Sequence, residues 1–275
     1  MEMRMRNYPL FSEIVDLANT APVAANRTRV LRARSFVIVM SEGDGSLPVD
    51  SLEEYFLLLP DAGARLESSG GTFDAPAHSV VVMPAGPSDA CLLQPGACVR
   101  LFARAPAAFE AVAIFGDGAE GLPLRPVTPW RRSLPVSCPI IYTLDTLPNS
   151  PGMPRARLFQ TSTLSINWVE YSGPRDRGNL SPHAHTDFEQ ASLALDGQFI
   201  HHFRTPWGRD ADSWRPDEHV KADPGSVALI PPPIIHTSEG VGAGRHILID
   251  IFSPPRADFI AKGQILNAAE YETGV

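Results

Sequence analysis

Lysine is scarce in this sequence. Lys221 and Lys262 are the only two in 275 residues, and 23 Lys+Arg against 31 Asp+Glu leave a formal charge of −8. A protein that holds nucleic acid without regard to sequence needs surplus basic charge to displace counterions, so no nucleic-acid partner is expected. Arg27, Arg29, Arg32 and Arg34 cluster locally, but alternating arginines on a strand mark its solvated face. Cysteine is also sparse. Cys91, Cys98 and Cys138 are odd in number and show no C-x-x-C spacing, which reads as reduced core thiols in a cytosolic protein. No stretch of 18 apolar residues occurs, and no apolar segment follows the basic N-terminus. Neither a membrane span nor a signal peptide is therefore expected, and the cytoplasm is the expected location.

Proline, by contrast, is plentiful, with 27 residues. Inside a helix each would cost about 3 kcal/mol, which argues against a mainly helical chain. The 44% hydrophobic content suffices for a packed core, and short strands between turns are the natural use of so many prolines. The apolar residues Phe11, Ile14, Val15 and Ala18 have helical spacing and predict one short helix over 11–18. After that the pattern is of strands: alternation over 164–168, and apolar runs over 80–83 and 247–252. A closing helix is expected over 259–269.

An internal repeat organises these elements. Ser-Val-Val-Val-Met-Pro at 79–84 matches Ser-Val-Ala-Leu-Ile-Pro at 226–231. Upstream, the block at 54–61 matches 189–196, each followed closely by glycine (Gly63, Gly197). Two similar blocks in the same order, about 140 residues apart, indicate a duplicated all-β unit. The aperiodic, proline-rich stretch 143–157 is the expected seam.

The spelling G-x-G-x-x-G at Gly116, Gly118 and Gly121 is a decoy. A dinucleotide site needs a helix N-terminus next, and Leu-Pro-Leu-Arg-Pro at 122–126 cannot start a normal one. The informative segment is 178–190, with His183, His185, Glu189 and Gln190, followed by Gly197 and later by His236. Histidines at i and i+2 of a strand point to one face, where both imidazoles can meet one ion. A third ligand nearby and a fourth from a distant strand leave positions open for water or substrate, as in catalytic metal sites.

This ordered set resembles the two motifs of the cupins. The first runs from Gly178 through His183, His185 and Glu189 or Gln190 to Gly197; the second is Pro224-Gly225 with Pro231 and His236. The resemblance implies two double-stranded β-helix (jelly-roll) barrels, an all-β bicupin with short flanking helices. The expected division is an N-terminal degenerate barrel over 1–142, a linker over 143–157 and a C-terminal metal-binding barrel over 158–275. The implied cofactor is one divalent transition metal (Zn, Fe, Mn or Ni) held by His183, His185, His236 and a third ligand. Forward spacing from His185 selects Glu189 for that ligand and backward spacing from Gly197 selects Gln190, which is favoured. Laying the repeat on itself sets Pro48, Asp50, Tyr55 and Asp89 opposite His183, His185, Gln190 and His236, so the first barrel should hold no metal. His78 is expected to be an ordinary polar histidine.

A narrower resemblance joins Asp250-Ile-Phe252-Ser-Pro-Pro-Arg256-Ala-Asp258 to the pectin-degradation cupins that linearise unsaturated uronates. It implies that Asp250, Phe252 and Arg256 line the pocket, with Arg256 holding a substrate carboxylate and Asp250 moving a proton. A simple Asp250–Arg256 ion pair is the alternative. The insert at 205–220, with Trp207, Trp214 and His219, should cover the barrel mouth. The expected activity is isomerase- or lyase-like chemistry on a small, carboxylated, oxygen-rich substrate such as a sugar acid. A ferrous dioxygenase and a non-catalytic binding module are the alternatives, and family-level pairing of edge strands suggests a homodimer.

Overall fold

The computed structural model describes residues 13–23, 26–111 and 124–272. The Gly116 to Gly121 spelling and Phe11 lie outside them. The chain opens with strand β1 (Glu13–Asp16). Nine more strands follow in the first half: β2 (Arg29–Arg32), β3 (Val37–Ser46), β4 (Val49–Ser51), β5 (Tyr55–Leu59), β6 (Ala64–Ser68), β7 (Gly71–Ala75), β8 (Ser79–Met83), β9 (Gly86–Phe102) and β10 (Ile140–Thr143). The second half contains β11 (Ala156–Gln160), β12 (Ser165–Ser172), β13 (Gln190–Asp196), β14 (Gln198–Arg204), β15 (Glu218–Ala222), β16 (Ser226–Ile230), β17 (Ile235–Val241) and β18 (Arg245–Phe252). Every strand pairing is antiparallel, as short connections allow.

Strands β2 to β10 form a nine-stranded sheet. The second half forms a six-stranded sheet in the order β1-β16-β13-β18-β12-β11 and a three-stranded sheet β15-β14-β17. The matched blocks of the repeat become β5 with β8 and β13 with β16. Their registers coincide, Tyr55 lying opposite Met83 as Gln190 lies opposite Ile230.

The apolar runs are continuous because their strands are buried on both faces. Phe56, Leu58, Val80 and Val82 of the first half join Trp168, Leu193, Val227 and Ile249 of the second in one shared core. The alternate residues of the same strands point into their own barrels. In the first barrel they are Tyr55, Leu57, Leu59, Val81 and Met83, a packed apolar filling. In the second they include Gln190, Ser192 and Asp250, bonded to one another. One strand parity thus builds a common core, and the other decides which barrel keeps a polar interior.

Two expectations about helices are corrected. Residues 13–16 form a strand along the edge of β16, with Glu13 opposite Leu229, and only Leu17–Asn19 is helical, as a single 3₁₀ turn. Alternate burial of Val15 and Leu17 in the shared core, with Asp16 exposed between them, favours the strand; long-range pairing overrides the local helical spacing. This strand, expected in the first barrel, is part of the second half's sheet. At the other end α1 (Ala257–Ala261) is followed by a separate 3₁₀ turn, Ala268–Glu270. Gly263, with φ +66°, takes the left-handed conformation that ends the helix.

Within the arginine cluster Arg27 is solvated and Arg29 is not. Arg29 is buried, donates to the Thr20 carbonyl and pairs with Glu42, which also pairs with Arg27. All three cysteines are free. No helix among the described residues is long and apolar enough to cross a membrane.

Candidate metal centre

His236 is the second residue of β17, and His183 faces it across an isolated antiparallel bridge, with backbone N–H to carbonyl distances of 3.0 and 2.8 Å. His185 follows two residues later, and Gln190 opens β13. The ligand nitrogens of His183, His185 and His236 lie within 4.8 Å of one another, the one such grouping among the described residues. The Gln190 Oε1 atom is 2.8 Å from His185 Nε2 and 3.1 Å from His236 Nε2. Gly197 turns the chain at the end of β13. Its φ is +79°, and a Cβ there would lie 2.5 Å from the Arg245 carbonyl oxygen, so the motif glycine is sterically required.

The protonation pattern shows what this cluster needs. Burial above all, with neighbouring imidazoles and Arg256 adding to it, pushes His185 down to about 3 and His236 to about 4. Both are neutral at pH 7. His236 Nδ1–H donates to the Ile234 carbonyl at 2.9 Å, so its Nε2 is a bare lone pair. That lone pair faces the carbonyl oxygen of Gln190, and two acceptors in contact are unfavourable unless a cation lies between them. The amide cannot flip to relieve this. Gln190 Nε2 donates to Ser192 Oγ at 3.0 Å and to Asp250 Oδ1 at 3.1 Å, and Ser192 Oγ–H donates to the same Asp250 oxygen at 2.6 Å. Backbone carbonyls also set the imidazoles, Ser181 holding His183 Nδ1 at 2.9 Å. Such outer hydrogen bonds fix ligand tautomer and direction in metal sites, and the residues present fit a divalent ion.

Glu189 is turned the other way. Its Oε2 accepts backbone N–H groups of Arg34 at 3.2 Å and Ser35 at 3.3 Å in the first half, and burial pushes its carboxyl up to about 7. Adjacent strand residues face opposite sides, so Gln190 alone of the pair meets the histidines.

The pocket residues suggested by the D-x-F-S-P-P-R segment divide. Asp250 is anchored to Gln190 and Ser192, and desolvation raises its pKa. Phe252 is buried and meets His185 edge-to-face at 5.9 Å. Arg256 forms no ion pair with Asp250. It grips Asp258 with two 2.8 Å bonds and packs over the rings of Phe188, Phe252 and Phe259, in a cavity of about 400 Å³ on the far side of His185. Two of its three guanidinium nitrogens are bonded to Asp258, which leaves Nη1 for any carboxylate that enters this cavity.

Trp207 and Trp214 stack at 4.8 Å and stay exposed, while His219 reaches a mouth cavity of about 240 Å³ shared with His236. There the structure adds residues that no motif signalled. His202 Nδ1 is 2.7 Å from His219 Nδ1, and His202 Nε2 is 3.0 Å from the buried carboxylate of Glu239.

No protein-family model and no curated protein matches the sequence. Solved structures do. AerE from Microcystis aeruginosa superposes with a TM-score of 0.57 at 10% identity, over 90% of this chain and 99% of that one. A mutant of Bacillus subtilis oxalate decarboxylase superposes at 0.60 and 12% identity, over 88% and 77%. Another structure of that decarboxylase, studied for its Mn(II) centres, gives 0.55 at 13% identity over 83% and 73%. The chain has the cupin fold.

Within this fold the two barrels correspond strand by strand. Val49 pairs with Ser88 as His183 bridges His236, and Leu57 lies opposite Arg100 as Ser192 lies opposite Asp250. Val49, Ser51, Tyr55 and Ser88 thus stand where the second cupin barrel has His183, His185, Gln190 and His236. The Tyr55 and Ser88 hydroxyls are bonded at 2.9 Å in place of Gln190 and His236. Compared with the sequence overlay, Tyr55 is kept and the other three move by one residue. Asp89 instead accepts the Leu47 N–H at 2.7 Å. His78 bridges Asp145 at 2.6 Å and Glu170 at 2.8 Å, tying the halves together as an ordinary polar histidine.

Proposed function

We propose that the second cupin barrel is a mononuclear divalent-metal centre, with His183, His185, Gln190 and His236 as ligands, that acts on a small, carboxylated, oxygen-rich substrate. The reaction class is isomerase- or lyase-like. The observation that carries this reading is the contact between the His236 Nε2 lone pair and Gln190 Oε1, two acceptors locked face to face by their own outer hydrogen bonds. When bound, the ion polarises a carbonyl, enol or hydroxyl and stabilises the negative charge that develops there.

The chain's own residues do the rest. Asp250 and Ser192 hold the Gln190 amide so that its oxygen, not its nitrogen, faces the histidines. Glu239 accepts His202 Nε2–H, which leaves His202 Nδ1 to accept from His219 Nδ1–H. His219 Nε2 is then free to take a proton from a ligand at the mouth and return it. Phe252 and Phe188 wall off His185 from water, and Arg256 with Asp258 braces that wall.

Metal analysis of the purified protein tests the reading. About one ion per chain is expected, lost in His183→Ala and His236→Ala; a parent without stoichiometric metal would overturn it. Turnover of an unsaturated uronate and of oxalate, the latter named for the decarboxylase neighbour, should then be followed. Oxygen uptake by iron-loaded protein would replace the isomerase or lyase class with a dioxygenase.

A further inference from the structure

The interior of the second barrel contains a small cavity of about 110 Å³. One wall is the face formed by His183, Gln190 and His236, with Asp250 beside it; another is formed by Tyr171 and Arg175. Arg175 makes no close ion pair among the described residues. Its Nη2 donates to the Asn179 carbonyl at 3.1 Å and its side chain bonds Tyr171, both uncharged partners. The neighbouring Asp176 uses its Oδ1 to cap Gly178 N–H at 2.9 Å and acts on Arg175 only from beyond ion-pair contact. Among the described residues no carboxylate lies within ion-pair distance of Arg175 or of Arg155, whose guanidinium sits 5.9 Å from the Tyr171 ring. Burial and the like charge of Arg155 lower the Arg175 pKa, and Tyr171 and Asp176 offset part of that effect. This contrasts with Arg125, Arg204, Arg245 and Arg256, each of which is neutralised by an aspartate. Both side chains are only partly buried, so water offsets their charge, and an anion entering the cavity gains a charge-assisted hydrogen bond from Arg175.

We propose that Arg175, steadied by Tyr171 and backed by Arg155, is an anion subsite that takes the carboxylate of a small acid carrying an oxygen on the adjacent carbon. That second oxygen faces His183, Gln190 and His236, so this half of the assignment rests on the metal reading above. The volume agrees. A water's share of the liquid is about 30 Å³, so the cavity equals roughly three to four waters in volume, the scale of a two-carbon hydroxy acid. The remainder of a larger substrate extends past Ser181, which also lines the opening. The sequence did not signal this residue. Arg175 sits in the turn Gly173-Pro-Arg-Asp-Arg-Gly178, where no period separates it from Arg177.

The test is isothermal titration calorimetry of zinc-loaded protein with glycolate, and with glycolamide as the uncharged control. The parent should prefer glycolate. Arg175→Met should weaken glycolate at least tenfold, as expected on removing a charge-assisted hydrogen bond, while leaving glycolamide and metal content unchanged. Arg175→Lys, which retains the charge and the stem, should fall between and covers the case in which the methionine variant misfolds. Equal binding of glycolate and glycolamide by the parent, or a loss under threefold in both variants, would overturn the subsite while the metal centre stands. If the parent takes up no zinc, the metal reading fails. The same titration on the apoprotein then decides the subsite: an Arg175-dependent preference for glycolate supports it, and the lack of one overturns it.

Discussion

Replacing Asp250 by leucine tests the logic of the metal centre. The carboxylate accepts Gln190 Nε2 at 3.1 Å and Ser192 Oγ at 2.6 Å. Without it the Gln190 amide retains only Ser192, and either end of the amide can turn toward His185 and His236. A hydrogen bond to a charged group contributes about 1.5–3 kcal/mol, equivalent to roughly 10- to 150-fold in the preference for the productive orientation. Losses of about 10- to 100-fold in metal affinity are typical when an outer hydrogen bond is removed. Asp250→Leu should therefore lower affinity in a chelator-competition titration by that amount. Asp250→Asn keeps an acceptor oxygen and should remain within about threefold of the parent. Both variants discard the buried charge, so the difference between them isolates orientation from electrostatics. Burial raises the Asp250 pKa, so the charge of its carboxylate is held at a desolvation cost in the folded protein. The metal-free leucine variant should consequently melt no lower than the parent. Equal losses in Asn and Leu, or none in Leu, would refute the argument that Asp250 acts by orienting Gln190.

Two further outcomes follow from the geometry. Glu189 rises from its ordinary 4.5 to about 7 in the folded protein, chiefly by burial, so its ionisation opposes folding progressively as pH rises from about 4.5 to 7. That penalty is absent below 4.5 and complete above 7, where it is about 3 kcal/mol. Glu189→Gln should thus stabilise the protein in urea unfolding at pH 8 relative to its effect at pH 4.5; greater destabilisation at pH 8 would contradict this. Phe56→Ala should cost about 3–5 kcal/mol, because the ring is fully buried in the core shared by both halves. Near-ultraviolet circular dichroism should report one melting transition lowered by roughly 10 °C. Two separated transitions would show that the halves unfold independently.

Much of this was legible in the sequence because it depends on parity and spacing. Strands β5, β8, β13, β16 and β18 coincide with apolar runs, and the i, i+2 histidines converge although only His183 makes a β-bridge. Gln190 rather than Glu189 meets them because Gly197 fixes the register of β13, a local constraint that sequence carries. What sequence did not carry depends on partners distant in the chain. The segment at 13–16 has helical spacing, yet β16 offers it an unpaired edge. Arg29 alternates like a surface residue, yet Glu42 and the Thr20 carbonyl receive it in the interior. Arg256 matches a pocket motif, yet Asp258, two residues on, claims its guanidinium. Arg175 and the Glu239–His202–His219 chain gain their meaning from what surrounds them in the barrel, and no spacing rule encodes that.

The β1 strand also sets an order of events. Glu13 to Asp16 are made before the other described strands but lie against Ser226 to Leu229 of the second half. Closing a loop of this length costs entropy that grows with the logarithm of the chain between its ends, so the pairing contributes nothing until nearly the whole polypeptide is present. A nascent chain stalled before residue 226 carries an apolar segment, Val15 and Leu17, with nowhere to dock. A fragment of the second half alone carries the complementary fault, a bare β16 edge free to capture the same segment from another molecule. Residues 13–16 thus act as the closing stitch of the second barrel.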